Sequence, residues 1–390
     1  MKLCFVASIP MSIKVFLGPH IVRLSEFHEV TIVANGSPRE FAGLLGPRIS
    51  FVAVPIERDI SLVRDLRALF ALWLLFHRER FDTVHSITPK AGLLSMVAAR
   101  LAGVPRRIHT FSGQVWATTR GVRRAVFKAI DRFLAWNATR LFADGPSQRV
   151  YLIENGIVDA DRISVVAEGS FAGVDLDRFR FDAESRRCIR AEHDIPDAAV
   201  VFMFLGRLHR DKGLADLARA FESAAGRDDR VQLLIVGPDE HGLEPIFTAM
   251  GVKFPGRVHR AGFTDSPEKY LSASDVLCLP SYREGFPVAP LQASAVGIPV
   301  IASRIYGVTD SVAEGISGIL HQPKANDEIA EAMLLLASNK PLRDRMGAAG
   351  RSRIAERFSE DRVATAFAQC YAELLSTPTG RPPLTPCNQK

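Results

Sequence analysis

The sequence predicts an α/β protein made of two domains, each a parallel sheet covered by helices. Three observations support that expectation. The chain has 390 residues, more than one core usually serves, and its 47% hydrophobic and 24% charged content is that of a globular chain. Short apolar runs alternate with longer helical stretches in both halves, the order of parallel strands joined by crossovers. Residues 276–303, VLCLPSYREGFPVAPLQASAVGIPVIAS, read as one complete unit: a buried strand ending at Pro280, a polar loop, a short helix closed by Gly297 and a returning strand.

Taken in order, LCFVASI opens as a buried strand, and PMSIKVFLGPH is expected as the loop feeding the first helix. That loop holds one glycine, Gly18, where a dinucleotide-binding protein needs G-x-G-x-x-G, so NAD binding is disfavoured. EVTIVA and ISFVAVP are strands, and SLVRDLRALFALWLLFHRER is a long helix. Its apolar stretch ALFALWLLF is far below the roughly 20 residues that cross a bilayer, which favours a core helix. TVHSI is a strand, Pro89 and Lys90 start a helix, Gly103 ends it, and RRIHTF follows as a strand. His85 and His109 fit two readings equally, strand histidines with satisfied hydrogen bonds or site residues. RGVRRAVFKAIDRFLAW, residues 120–136, is an amphipathic helix with Arg120, Arg123, Arg124, Lys128 and Arg132 on a basic face. LFAD, SQRVYLIENG and RISVVAEGSFAG complete a domain spanning 1–172, and 173–198 is expected as a linker.

The second domain, 199–357, opens with VVFMFLGRLHRDKGLADLARAFE. A strand ends in Gly206, Arg207 follows, and Lys212 with Gly213 opens a helix. Two cations and a free helix N-terminus at a strand's carboxyl end make an anion site. VQLLIVGPDE and VHRAGF are further strands. In 276–303, Arg283 and Glu284 lie at a strand's carboxyl edge, where open α/β sheets bind ligands. Pro287 and Pro290 bracket the next helix start, at little cost because first-turn N–H groups lack intrahelical partners. The amides of Phe286, Val288 and Ala289 are therefore free to meet an anion, which the helix dipole favours, and a diphosphate fits. Two helices cover 325–357, a last helix spans 358–376 with Ser359 as its cap, and the Pro-rich residues 377–390 are expected to be disordered.

SYREGFPVAPLQASAVGIPVIAS resembles the donor-site signature of the retaining glycosyltransferases of family four, which have the GT-B fold, two Rossmann-like domains facing across a cleft. The family has two acids separated by seven residues; here the first is Glu284 and the second position holds Gln292. The resemblance covers nearly the whole chain and is most specific at 203–213 and 279–303. It implies that Arg207 and Lys212 hold the donor diphosphate and that Glu284 holds the sugar. Gly206, Gly237, Gly285, Phe286, Pro287 and Val288 would line the donor site, with Gln292 on the ribose and Gly18 over the phosphates. The loop after VHRAGF would lie beside the nucleotide base, making His259, Arg260 and Ala261 candidates. On the acceptor side it points to His85, Lys90, Ser112 and Gly113. Relatives often carry a His or an acid at the position of Ser112, whose hydroxyl cannot act as a base near neutral pH. Asp175 and Asp177 have the D-x-D spelling of a metal site, but their context resembles the family's interdomain linker. No metal or other cofactor is expected. The last helix is expected to cross back onto the first domain.

The resemblance is to members that build bacterial surface polysaccharides on lipid carriers. It implies transfer of a sugar, an N-acetylhexosamine or a relative, from a nucleotide-sugar donor, UDP-linked in preference to GDP-linked, to a lipid-linked saccharide of capsule or lipopolysaccharide. Two other classes stay open: a sugar-nucleotide binder that has lost catalysis, prompted by Gln292 and Ser112, and a GT-B sugar-nucleotide epimerase. Charge supports a surface partner. Residues 1–180 hold 24 Lys and Arg against 16 Asp and Glu, a balance of +8, while the rest hold 25 against 27. The basic helix 120–136 therefore suits an anionic inner membrane surface, with a solvated face as the alternative. No nucleic-acid partner is expected. Five scattered cysteines (Cys4, Cys188, Cys278, Cys370, Cys387) lack metal spacing, and no signal peptide is visible, so a cytoplasmic, membrane-peripheral protein is expected.

Overall fold

A computed structural model describes residues 1–57 and 59–377. Its residues divide into two units, Met1–Gly173 together with the described residues from Glu360 onward, and Val174–Ser359. Residues 378–390, most of the tail expected to be disordered, lie outside the described residues.

The first unit runs β1 (Lys2–Val6), α1 (Pro10–Ser25), β2 (Glu29–Ala34), β3 (Ile49–Ala53), α2 (Leu62–Glu79), β4 (Thr83–Ile87) and α3 (Pro89–Leu101). β5 (Arg106–Phe111), α4 (Gly121–Asn137), β6 (Arg140–Ala143), α5 (Pro146–Glu154) and β7 (Ile163–Val165) follow. All pairings are parallel, in the order β3-β2-β1-β4-β5-β6-β7. Alternating side chains of β1 go to opposite faces: Leu3 and Phe5 join one core, Cys4 and Val6 the other. The second core lies under α2, α3 and α4, which pack side by side.

The second unit contains α6 (Ala183–Glu192), β8 (Val200–Leu205), α7 (Leu214–Ala225), β9 (Val231–Val236), α8 (Glu244–Lys253), β10 (Val258–Ala261) and α9 (Pro267–Ala273). It continues through β11 (Val276–Leu279), α10 (Val288–Val296), β12 (Val300–Ser303), α11 (Val308–Ser311), β13 (Gly318–His321), α12 (Asn326–Ser338) and α13 (Lys340–Arg357). Its sheet is parallel in the order β10-β9-β8-β11-β12-β13. The chain then returns as α14 (Glu360–Ser376), which buries Phe367, Cys370, Tyr371 and Leu375 in the first unit's α1-side core. Burial of each large ring there contributes about 1.5–3 kcal/mol, enough to fix the helix's docking face.

Three sequence expectations change. Pro10–Pro19 is not a loop: it forms most of α1, with Gly18 buried inside the helix. Pro10 starts the helix, and Ile13, Leu17, Ile21 and Leu24 bury at three- and four-residue spacing, which outweighs the bond that Pro19 removes. The expected linker carries α6, whose Arg186 and Arg190 both clasp Asp275 at 2.9 and 2.8 Å, so it is an ordered part of the second unit. The stretch ALFALWLLF buries only Ala68, Leu72 and Phe76, leaving Phe70 61% exposed.

Candidate donor and acceptor sites

In the second unit the strand order reverses between β8 and β11, adjacent strands whose crossovers run in opposite directions. Ligands bind outside the carboxyl ends of strands at such a point. Gly206, Arg207 and Lys212 follow β8, and Glu284 to Val288 follow β11, so topology brings the two sequence-distant motifs together. Lys212 Nζ lies 2.6 Å from Glu284 Oε1, with both side chains largely shielded from solvent.

The loop around this pair is braced from several sides. Tyr282 N donates to Asp211 O at 2.7 Å, and the Arg283 guanidinium pairs with Asp211 at the same distance. Tyr282 Oη donates to Asp216 on α7, and burial with that carboxylate pushes the phenol up. Gly213 has φ of 68°, and a Cβ there would land on Pro280 O; Gly307 has φ of 79°, and its Cβ would land on Gly285 O. Both glycines are thus required by close backbone approach. Asp211, Tyr282 and Gly307 escaped sequence reasoning, although R-D-K-G and Y-R-E-G spell out the first two.

α10 begins at Val288 after Pro287, and no hydrogen bond is found for the amides of Phe286, Val288 or Ala289 among the described residues. Gln292 is half-buried, and no side-chain hydrogen bond is found for it among the described residues. Arg207 pairs with Glu240 at 2.5 Å and stays half-exposed. Gly237 follows β9 with φ of 133°. Arg260 is turned onto the carbonyls of Gly237 and Ala261 and pairs with Glu244 at 3.0 Å, so it braces the β9 and β10 ends. His259 is buried against Gln232 at 2.7 Å, a structural partner rather than an open ring, and Ala261 is buried.

In the first unit the acceptor-side residues separate. His85 is fully buried, bonded to Tyr371 Oη at 2.5 Å and Thr110 Oγ1 at 2.8 Å, and burial holds its ring neutral. The site reading of His85 therefore gives way to a core histidine. His109 follows it, buried against Ser86 Oγ at 2.9 Å with its pKa lowered to about 3 by burial. Lys90 pairs with Asp65 of α2 at 2.5 Å. Ser112 and Gly113 remain partly exposed just beyond β5. Gly18, inside α1, is not on a loop over phosphates. Arg124 and Lys128 of α4 turn toward Asn155 and Arg132 toward Gly156 O, so the exposed ridge of α4 is Val122, Val126, Phe133 and Trp136. Among the described residues no helix is long and apolar enough to cross a membrane, and no cluster of His, Cys, Asp or Glu could hold a metal.

A parallel sheet whose switch point carries cations and the amides that open α10 is an anion-binding arrangement in an α/β protein, and comparison with known proteins gives its family. Residues 185–353 match the family described as Glycosyl transferases group 1, and residues 22–169 match Glycosyl transferase 4-like domain. An Escherichia coli UDP-Gal:alpha-D-GlcNAc-diphosphoundecaprenol alpha-1,3-galactosyltransferase is 31% identical over 75% of this chain and 76% of its own. The capsular polysaccharide biosynthesis glycosyltransferase CapM of Staphylococcus aureus is 28% identical over 84% of this chain and 86% of its own. The chain belongs to the group 1 glycosyltransferases. The fold matches that of Anabaena HepE, solved with UDP and glucose, at a TM-score of 0.78 and 16% identity over 97% of this chain and 100% of that one.

Proposed function

We propose that the protein is a retaining, metal-independent glycosyltransferase. It moves an N-acetylhexosamine or related sugar from a UDP-linked donor to a lipid-linked saccharide in surface-polysaccharide assembly. The observation that carries this reading is the Lys212–Glu284 pair at the β8/β11 switch point, beside the unpartnered amides that open α10. An arriving diphosphate competes for Lys212 and releases the Glu284 carboxylate to accept a hydroxyl of the donor sugar. Arg207, Lys212 and the amides stabilise the charge that grows on the leaving phosphate. The acceptor oxygen bonds to the anomeric carbon on the leaving-group face while the phosphate oxygen takes its proton, which retains configuration. Gln292 supplies an amide oxygen to a ribose hydroxyl. The E. coli relative is named for a UDP-linked donor and a diphosphoundecaprenol-linked acceptor, and HepE has been solved with UDP-glucose, which favours this donor and acceptor class.

The test is transfer from a panel of UDP-sugars to a GlcNAc-diphospho-lipid. Arg207→Ala and Lys212→Ala are each expected to lower turnover by roughly 10²–10³, the cost of losing a stabiliser of developing charge. EDTA is expected to leave activity intact. Near-wild-type rates in both variants, or strict metal dependence, would remove this mechanism.

The same reading places the first unit at an anionic bilayer. Beyond the ridge on α4, α2 exposes Leu62, Val63, Leu66, Phe70 and Leu74 at helical spacing. Both helices flank α3 on one face of the sheet, with exposed Arg120 and Arg123 at the start of α4. An apolar ridge edged by cations fits the headgroup boundary of a membrane that carries the acceptor.

A further inference from the structure

The acceptor side as read from the sequence is left short of chemistry. His85 and His109 are core residues, Lys90 is paired with Asp65, and Ser112 offers only a hydroxyl. One group beside Ser112 is in a different state. Parallel pairing sets Phe111 against Ala143, so Ser112 and Asp144 leave β5 and β6 side by side at the sheet's carboxyl edge. Gln148 ties them together: its Oε1 accepts from Asp144 N at 2.6 Å, and its Nε2 donates to Ser112 O at 2.8 Å. Asp144 O in turn accepts from Ser170 N at 2.7 Å. The backbone of Asp144 is therefore clamped from two directions.

Its side chain is not. No hydrogen bond or ion pair to the Asp144 carboxyl is found among the described residues, although burial around it pushes its pKa up to about 7, and burial is the sole cause. The carboxyl is nevertheless open to solvent in part, so it stands in dense surroundings at the sheet's carboxyl edge with its oxygens accessible to a ligand's hydroxyls. The surrounding edge is strained as well. Thr88, one residue beyond β4, has φ of 72°, and Ala167 and Ser170, beyond β7, have φ of 51° and 61°. Residues other than glycine rarely adopt such conformations, and they cluster at ligand sites.

We infer that Asp144 is the acceptor-binding carboxyl of this enzyme, accepting hydrogen bonds from hydroxyls of the acceptor saccharide beside Ser112. The inference rests on the transferase reading above and adds the group that holds the second substrate. No proton transfer is assigned to it: the carboxylate holds the hydroxyl, and the leaving phosphate remains the base. An ionised carboxylate gives hydrogen bonds roughly twice as strong as a neutral acceptor, so charge loss at constant size is the informative change.

The experiment uses the full chain, a decyl-diphospho-GlcNAc acceptor, and whichever of UDP-glucose, UDP-galactose and UDP-GlcNAc the wild type consumes. Asp144→Asn is expected to raise acceptor KM about tenfold or more, with donor Kd within twofold of wild type. Its thermal midpoint at pH 8 is expected to rise, because a group kept for a ligand and not for the fold is removed. Asp144→Glu keeps the charge and is expected to fall between the two in acceptor KM. An acceptor KM within twofold of wild type in the Asn variant overturns the inference while leaving the transferase reading standing. So does a lower midpoint with unchanged acceptor KM, which makes Asp144 a structural carboxyl. A wild type that binds none of the three donors overturns the transferase reading, and this inference with it.

Discussion

At the scale of single residues, Lys212 and Glu284 neutralise one another at 2.6 Å while each is assigned to a different part of the donor. On the proposed reading, mutual attraction offsets part of the cost of shielding both charges until a diphosphate competes for Lys212. Gln292 stands one helical stretch away, where relatives of the resembled family carry a second acid. Glutamine keeps one acceptor oxygen and turns its other terminal atom into a donor. On the proposed reading, bonds from Gln292 to a ribose are weaker than those of a carboxylate, but an anionic donor meets less repulsion, and the two effects oppose. Gln292→Glu is therefore expected to change donor affinity by less than about tenfold, or ~1.4 kcal/mol, without abolishing transfer. Glu284→Gln is expected to cost far more in rate, because it frees Lys212 from its partner and loosens the reacting sugar. Kinetics of both variants with one donor checks the order; an inactive Gln292→Glu beside a silent Glu284→Gln reverses the assignment.

At the scale of elements, the proposed membrane contact rests on two amphipathic helices, α2 and α4. α4 turns three of its cations back onto its own unit and presents apolar side chains, with Val122 80% exposed. Burying such side chains at a bilayer boundary gains about 25 cal/mol per Å², while the cations at the helix start set the preference for anionic lipid. Leu66→Ser with Phe70→Ser on α2 is expected to reduce sedimentation with phosphatidylglycerol vesicles. Arg120→Gln with Arg123→Gln is expected to reduce it most at low salt. Neither pair is expected to shift UDP-sugar affinity, since the donor residues belong to the other unit. Unchanged sedimentation in both pairs returns α2 and α4 to solvated faces.

At the scale of the whole molecule, buried ionisable groups set how the first unit responds to acid. Burial lowers His20 to about 4 and His109 to about 3, and holds His85 well below the usual imidazole value. Their folded pKa values lie below the unfolded value near 6.5, so their contribution is full above that pH and is lost as pH falls toward 3–4. Each ring withdraws up to about 1.4 kcal/mol per pH unit across its window. Asp131, raised to about 6 by burial against its bond from Trp116, acts the other way, because the folded chain binds its proton first. Asp131→Asn keeps an acceptor for Trp116 and is expected to steepen the loss of stability between pH 6 and 4. Urea unfolding at pH 7, 6, 5 and 4 measures the slope, and equal slopes in wild type and variant contradict this account.

The sequence alone determined the strands, most helices and the two motifs that meet at the β8/β11 edge. Those signals are local: apolar runs of strand length, proline at helix starts, Gly297 at a helix end, and cations just beyond Gly206. The tertiary structure decided what depends on partners far along the chain. Pro10–Pro19 became helix because four apolar residues share a buried face, whereas Gly18 and Pro19 together spell a loop locally. His85 became a core residue because α14, 286 residues later, brings Tyr371 to its ring. The Lys212–Glu284 pair exists because β8 and β11 are neighbours in the sheet, 72 residues apart in sequence. Asp144 gave no sign in the motif LFADGPSQ, since its missing partners are a property of everything packed around it. Periodicity and capping are written in consecutive residues, but burial and the satisfaction of polar groups are fixed only when distant segments meet.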